Sequence, residues 1–178
     1  MEVKFNFKRG PRAHTPLWLS YYVEGKIYVE GKSIGEICFW IVDLKAIVRK
    51  GFLEGFVRRS YFDTVFTNRG RLKAQAVRAL GKTQPAKVAI GAGTRLNPKY
   101  RGKGYGLEAM RIFIETFDAD LFLIRPSSIS KPSDPEAKVK LRKHWGKLGY
   151  RQVGSSSIWG LTKQHYGKHQ RTSRKKHS

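Results

Sequence analysis

Residues 101–106 read Arg101-Gly-Lys-Gly-Tyr-Gly106, three glycines alternating with two cations and a tyrosine. Glycine lacks a Cβ, so a stretch of this kind can turn sharply and bring its backbone close to a ligand. A strand-like run, residues 88–94, precedes it. Residues 107–117 follow, with Leu107, Met110, Ile114 and Phe117 at helical spacing. The pattern predicts a glycine loop joining a strand to the start of a helix. The first amides of a helix have no internal acceptor and lie at the positive end of its dipole. That arrangement suits a phosphate or pyrophosphate. Arg101 and Lys103 add charge beside it.

The loop is not a P-loop, which needs four residues between its first glycine and a Gly-Lys-Ser/Thr. It is not the dinucleotide fingerprint either. Gly102, Gly104 and Gly106 alternate, and Leu96 stands where a third glycine would follow Gly91 and Gly93. The spacing Arg101-x-x-Gly104-x-Gly106, within Leu96-x-Pro98-x-Tyr100-Arg101-Gly102-Lys103-Gly104-Tyr105-Gly106, resembles the acetyl-coenzyme A loop of the GNAT superfamily of N-acetyltransferases. A second block, residues 140–150, is similar to the late helix of that family and its Leu148-Gly149-Tyr150 ending. Ala137, Leu141, Trp145 and Leu148 share one helical face there, and Gly149 is suited to end the helix in a left-handed conformation. The resemblance covers about residues 88–162.

The resemblance implies a fold, a donor and a set of contacts. The fold is α/β, a mixed and mostly antiparallel central sheet flanked by helices. The acyl donor is acetyl-coenzyme A. The strand before the loop splays from its neighbour, and its backbone around Leu96 holds the pantetheine arm. The amides of Gly102, Lys103, Gly104, Tyr105 and Gly106 hold the pyrophosphate, assisted by Arg101 and Lys103. Many members carry a tyrosine five residues before the aromatic of the Leu-Gly-Tyr ending; here that position is Trp145, and an indole is no general acid near neutral pH. His144 and Tyr150 stand nearby, and Glu36 and Glu54 are carboxylates of the right type for a base. None is singled out further. Positioning of the amine and a water chain is a route that needs no such group.

The elements that must carry these residues follow from periodicity. Residues 17–42 read as strands with a hairpin turn at residues 30–32. Cys38 falls in that run, as a packed thiol. Residues 43–82 read as helical, with a first apolar series broken by Gly51 and Gly55 and a second run over residues 71–81, where Arg71, Arg78 and Lys82 are expected to form a stripe away from the core face. Residues 121–125 read as a buried strand stopped by Pro126, and a last strand pair is expected within residues 151–162. The family's usual order puts its first helices before the hairpin. Helical matter here falls between the hairpin and the loop strand, on what the resemblance makes the acceptor side, so residues 43–82 are expected to hold the substrate.

Composition sets the outer limits. With 178 residues, 40% of them apolar, the chain can bury a core, and one domain over residues 1–162 is expected. A single cysteine forms no internal disulfide, which suits a reducing compartment. No apolar run is long enough to span a bilayer, and residues 1–9 lack the apolar core of a signal peptide. A cytoplasmic protein is therefore expected. The charge is extreme, 36 Lys and Arg against 13 Asp and Glu, net +23. No acidic residue occurs in residues 64–107 or 137–178. Such a field draws polyanions, so RNA, DNA or a ribonucleoprotein is the expected partner. Arg71, Arg78, Lys82, Arg171, Arg174, Lys175 and Lys176 are the expected phosphate contacts. Residues 163–178 have almost no apolar side chains and are expected to be a disordered basic arm. His165 and His169 there have a metal-compatible spacing, but no Cys or acidic partner, and no metal is expected.

Three activities remain open. One is acetylation of an amine on a macromolecule associated with nucleic acid, such as an aminoacyl-RNA, a nucleobase or a basic protein. Another is acetylation of a small amine, although a +23 protein repels polyamines. The third is a binding module of the same descent that has lost catalysis.

Overall fold

Between residues 32 and 43 apolar side chains alternate onto two faces, and this strand organises the molecule. Ile37, Phe39 and Ile41 join one buried cluster, while Trp40 and Val42 join another. A period of two with both faces apolar predicts a strand covered on each side. The computed structural model describes residues 1–9, 20–49, 59–126 and 134–175.

Seven strands form one sheet: β1 Glu2–Arg9, β2 Ser20–Val29, β3 Lys32–Asp43, β4 Lys87–Leu96, β5 Leu121–Ile124, β6 Arg151–Gln152 and β7 Trp159–Thr162. Their order is β1-β2-β3-β4-β5-β7-β6. β1 to β4 pair antiparallel in succession, β4 pairs parallel with β5, and β5, β7 and β6 are again antiparallel. The α/β class and the mostly antiparallel sheet match the expectation, as do the hairpin, the buried strand at residues 121–124 and the closing strand pair. β1 is an addition: the alternation of Val3, Phe5 and Phe7 seats it against β2, with Phe5 edge-on to Phe117 at 5.0 Å.

Helices cover both faces. α1 Leu44–Arg49, α2 Arg59–Val65 and α3 Ala74–Leu80 lie between β3 and β4 in sequence. Leu44, Phe62, Val65, Ala76 and Leu80 meet Val88, Ile90, Leu121 and Leu123 on one side of the sheet. α4 Tyr105–Thr116, α5 Pro135–Gly146 and α6 Lys163–Lys175 contribute Met110, Phe113, Ile114, Trp145 and Tyr166 to the other side, against Phe39, Ala89, Phe122 and Ile124. Phe113 stacks on Phe39 with centroids 4.0 Å apart. Local signals set the helix starts. The Asp43 carboxylate accepts from the Ala46 amide at 2.8 Å, and Asp134 caps α5 ahead of Pro135. Gly149, at φ +91, follows α5 in the left-handed conformation expected of it.

Two expectations need correction. The helix read from Arg71 begins at Ala74, because Leu72 is held in a β-bridge with Phe66. Arg71 precedes that helix and Lys82 follows it, so only Arg78 lies on it and there is no helical stripe. Nor are residues 163–175 a disordered arm, since they form α6; residues 176–178 lie outside the described residues. The first turn of α6 is anchored by contacts that a count of apolar residues does not register. The Lys163 Nζ donates to the carbonyls of Ile114 (2.8 Å) and Phe117 (2.9 Å), which end α4. Tyr166 is buried, and its hydroxyl donates to Glu115 at 2.7 Å. Among the described residues no helix is long and apolar enough to cross a membrane.

Candidate functional site

β4 is paired on one side along its whole length and on the other only at its start. Toward β3 it pairs from Lys87 to Leu96, with a bulge where Cys38 faces Gly93 and Phe39 faces Gly91, leaving Ala92 as the extra residue. Toward β5 it pairs only at Val88, Ala89 and Ile90. β5 itself ends at Ile124, so beyond Ile90 that edge of β4 has no strand partner among the described residues. The bulge lies where this pairing stops, and a bulge increases local twist. The strand edge from Gly91 onward borders a cavity of about 300 Å³ lined by Gly91, Gly93, Thr94 and Arg95 of β4, Phe39 of β3, Met110 of α4, Ile124, Arg125 and Pro126 at the end of β5, and Leu141 and Trp145 of α5.

The end of β4 runs into the glycine loop. A 3-10 turn, Pro98–Tyr100, follows Asn97, whose amide donates to the Ile34 carbonyl at 2.8 Å. Gly102 (φ +77) and Gly104 (φ +85) both take left-handed conformations that other residues adopt only with strain. Gly104 then caps α4, its carbonyl accepting from the amides of Leu107 and Glu108. Among the described residues, the amides of Gly102, Lys103, Gly104, Tyr105 and Gly106 find no acceptor. Five donors thus cluster at the positive end of a twelve-residue helix. Lys99, Arg101 and Lys103 are exposed around them. The ammonium groups of Lys99 and Lys103 lie 5.1 and 5.8 Å from the Tyr100 ring centre, which orders them near the loop. Arg101 also ties the loop to the end of β4, since its Nε donates to the Leu96 carbonyl at 3.0 Å. Leu96 in turn packs beside Gly106.

The acid-base candidates separate. Trp145 lines the cavity and is 8% exposed. His144 stands edge-on to it at 5.2 Å, away from the cavity lining. Burial, with Lys147 nearby, holds the His144 imidazole below its ordinary value. Tyr150 is buried in the core, where its hydroxyl donates to the Met110 sulfur at 3.5 Å, and burial pushes its phenol far up. It is not among the residues that line the cavity. Glu36 sits on β3 across from Arg95, 3.9 Å from its guanidinium, outside the lining. Glu54 lies outside the described residues. The only ionisable side chains lining the cavity, among the described residues, are therefore Arg95 and Arg125.

The remaining residues singled out in the sequence fall elsewhere. Arg71, Arg78 and Lys82 are exposed and do not line the cavity. Arg171, Arg174 and Lys175 belong to α6, and Lys176 lies outside the described residues. The His169 Nε2–H donates to the Lys147 carbonyl at 2.8 Å, whereas His165 Nδ1 is buried with no partner among the described residues. Sequence pattern gave no sign of one cluster. The Arg125 guanidinium lies 5.2 Å from the centre of the Tyr61 ring and donates to the Ser60 hydroxyl at 3.1 Å, and the Tyr61 hydroxyl donates to the Gly91 carbonyl at 3.3 Å. α2 thus reaches the end of β5 and the bulged part of β4. The 65-residue separation of Ser60 and Arg125 leaves no local signal for it.

Comparison with protein-family models finds no match, and comparison with curated proteins finds none either.

Proposed function

We propose that the protein is an acetyl-coenzyme A-dependent N-acetyltransferase of the GNAT kind, acting on an amine. The observation that carries this reading is a single continuous path. Among the described residues β4 has no strand partner on its β5 side after Ile90, that edge borders the cavity, and the strand leads through a 3-10 turn into the five unpartnered amides at the start of α4. A thioester with a long polar arm and a pyrophosphate has matching parts: an edge of amides and carbonyls for the arm, and a cationic helix start for the phosphates. The helices between β3 and β4 depart from the family's usual order. They cover the face of the sheet opposite α4, so they leave that path open.

In the transfer the amine nitrogen attacks the thioester carbonyl carbon. A C–N bond forms, the C–S bond breaks, and the proton lost by nitrogen ends on the coenzyme A sulfur. The cavity supplies position and exclusion of water through Phe39, Ile124, Leu141 and Trp145. The two ionisable side chains that line it among the described residues are permanent cations, so on this reading the amine arrives neutral or loses its proton to water.

Calorimetry with acetyl-coenzyme A on wild type and Gly104→Glu tests the proposal. The expected result is saturable binding that the variant abolishes, because a carboxylate in a left-handed cap position adds both strain and repulsion. A folded wild type that does not bind overturns it. A second reading, a basic binding module without catalysis, is favoured by Trp145 in the place of the family's tyrosine. It predicts salt-sensitive polyanion binding with no acetyl transfer to any acceptor.

A further inference from the structure

We infer that the acceptor is an α-amine carried beside an anionic group, and that Arg125 reads that anion. This rests on the acetyltransferase reading above and narrows its substrate.

Arg125 directly follows β5 and lines the cavity beside the edge of β4 that has no strand partner. Its guanidinium is oriented from behind. One N–H goes to the Ser60 hydroxyl, and the Tyr61 ring lies beside it. Tyr61 is itself fixed, 4% exposed and bonded to the Gly91 carbonyl. A guanidinium has five N–H donors in a planar fork, and the Ser60 bond uses one. A fork held in one orientation matches the two oxygens of a carboxylate or phosphate. Arg95, also in the lining, adds a second positive charge, exposed and 3.9 Å from the Glu36 carboxylate.

The same two cations select the amine. No carboxylate lines the cavity among the described residues, so a protonated amine entering alone meets only like charge. No base lines it either, among the described residues. A lysine side chain, with a pKa of about 10.4, would enter as a cation, whereas an α-amine, at about 8, is neutral in about a fifth of molecules at physiological pH. An anion attached to the acceptor and held by Arg125 offsets the repulsion and fixes the direction of approach. Attack on the thioester then gives the amide and free coenzyme A. Lysine side chains and polyamines are excluded as acceptors on the same grounds.

The experiment is an acceptor panel, read as thiol release from acetyl-coenzyme A, with coenzyme affinity measured by calorimetry on each protein. Alanyl-alanine offers an α-amine and a carboxylate. 3′-(Alanylamino)-3′-deoxyadenosine 5′-phosphate offers an α-amine and a phosphate. Alaninamide has no anion, and Nα-acetyl-lysinamide has only an ε-amine. The wild type should acetylate the two anionic acceptors, and the one with the lower KM identifies carboxylate or phosphate as the anion. Arg125→Gln should raise that KM by about tenfold or more, with kcat and coenzyme affinity nearly unchanged. Arg125→Lys should restore little, since an ammonium lacks the fork. Turnover of alaninamide or Nα-acetyl-lysinamide at equal or greater kcat/KM overturns the inference. So does an equal loss on all four acceptors in Arg125→Gln, or a wild type that binds acetyl-coenzyme A yet acetylates neither anionic acceptor. Failure to bind acetyl-coenzyme A is a different result: it removes the acetyltransferase reading, and this inference with it.

Discussion

Trp145 lines the cavity where a titratable side chain would be convenient, and its neighbour His144 points its chemistry elsewhere. With no base in the lining among the described residues, the pH dependence of acetyl transfer should belong to the acceptor. For alanyl-alanine, kcat/KM should rise to a plateau around the pKa of its α-amine, about 8. Trp145→Phe and His144→Gln should leave that midpoint in place. A midpoint that moves in His144→Gln would make His144 the base after all. The histidine has a different signature in stability. Burial holds His144 below its ordinary 6.5, and burial with Arg151 and Lys168 does the same to His165. Below 6.5 the unfolded chain therefore takes up more protons than the folded one, and stability falls with pH. The contribution is fully present above 6.5 and is lost as pH drops through the depressed folded values. Thermal melts from pH 7.5 downward should show Tm falling below 6.5, and His144→Gln/His165→Gln should flatten that part of the curve. An unchanged curve would mean that carboxylates alone govern the acid side.

At the level of elements, α6 offers a sharp test, because an arm and a docked helix predict opposite results. Tyr166 is buried against the core and bonded to Glu115, and Lys163 closes the end of α4. Tyr166→Ala should cost about 3 kcal/mol, read as a lower urea midpoint at unchanged slope, and a chain ending at Thr162 should lose more. A solvated arm would show neither. The contrast explains what was legible. β3, β4 and β5 carry short continuous apolar runs, and α4 carries Leu107, Met110 and Ile114 at helical spacing, so pattern alone found them. The loop was legible because Gly102 and Gly104 stand where left-handed backbone is required. α6 has one buried aromatic, and it is held by an ammonium finding two carbonyls 46 and 49 residues away. β1 has only three apolar residues in eight, and its register comes from β2. The Arg125–Ser60–Tyr61 cluster is wholly tertiary. Sequence reports what a segment needs; these cases were decided by what a distant segment offers.

Across the whole molecule, cations outnumber carboxylates, 36 to 13, net +23. Six of the carboxylates are engaged within the fold: Asp43 and Asp134 cap helices, Asp120 accepts from the amides of Ala86 and Lys87, Glu108 and Glu115 both pair with Arg111, and Asp118 pairs with Lys87. Arg71, Arg78 and Lys82 are exposed and outside the cavity, so any contribution they make is to attraction and not to chemistry. Polyanion affinity and coenzyme affinity should then be separable. On a labelled single-stranded oligonucleotide, the wild type should bind with an affinity that falls steeply between about 50 and 200 mM salt, each phosphate contact adding about 0.7 to the log–log slope. Changing Arg71, Arg78 and Lys82 together to Glu should lower that slope by about 2, while calorimetry finds acetyl-coenzyme A bound as before. Equal loss of both affinities would instead mean that the three cations support the fold of the coenzyme site. An unchanged slope would place the polyanion on another face, with the exposed cations of the glycine loop the next to test.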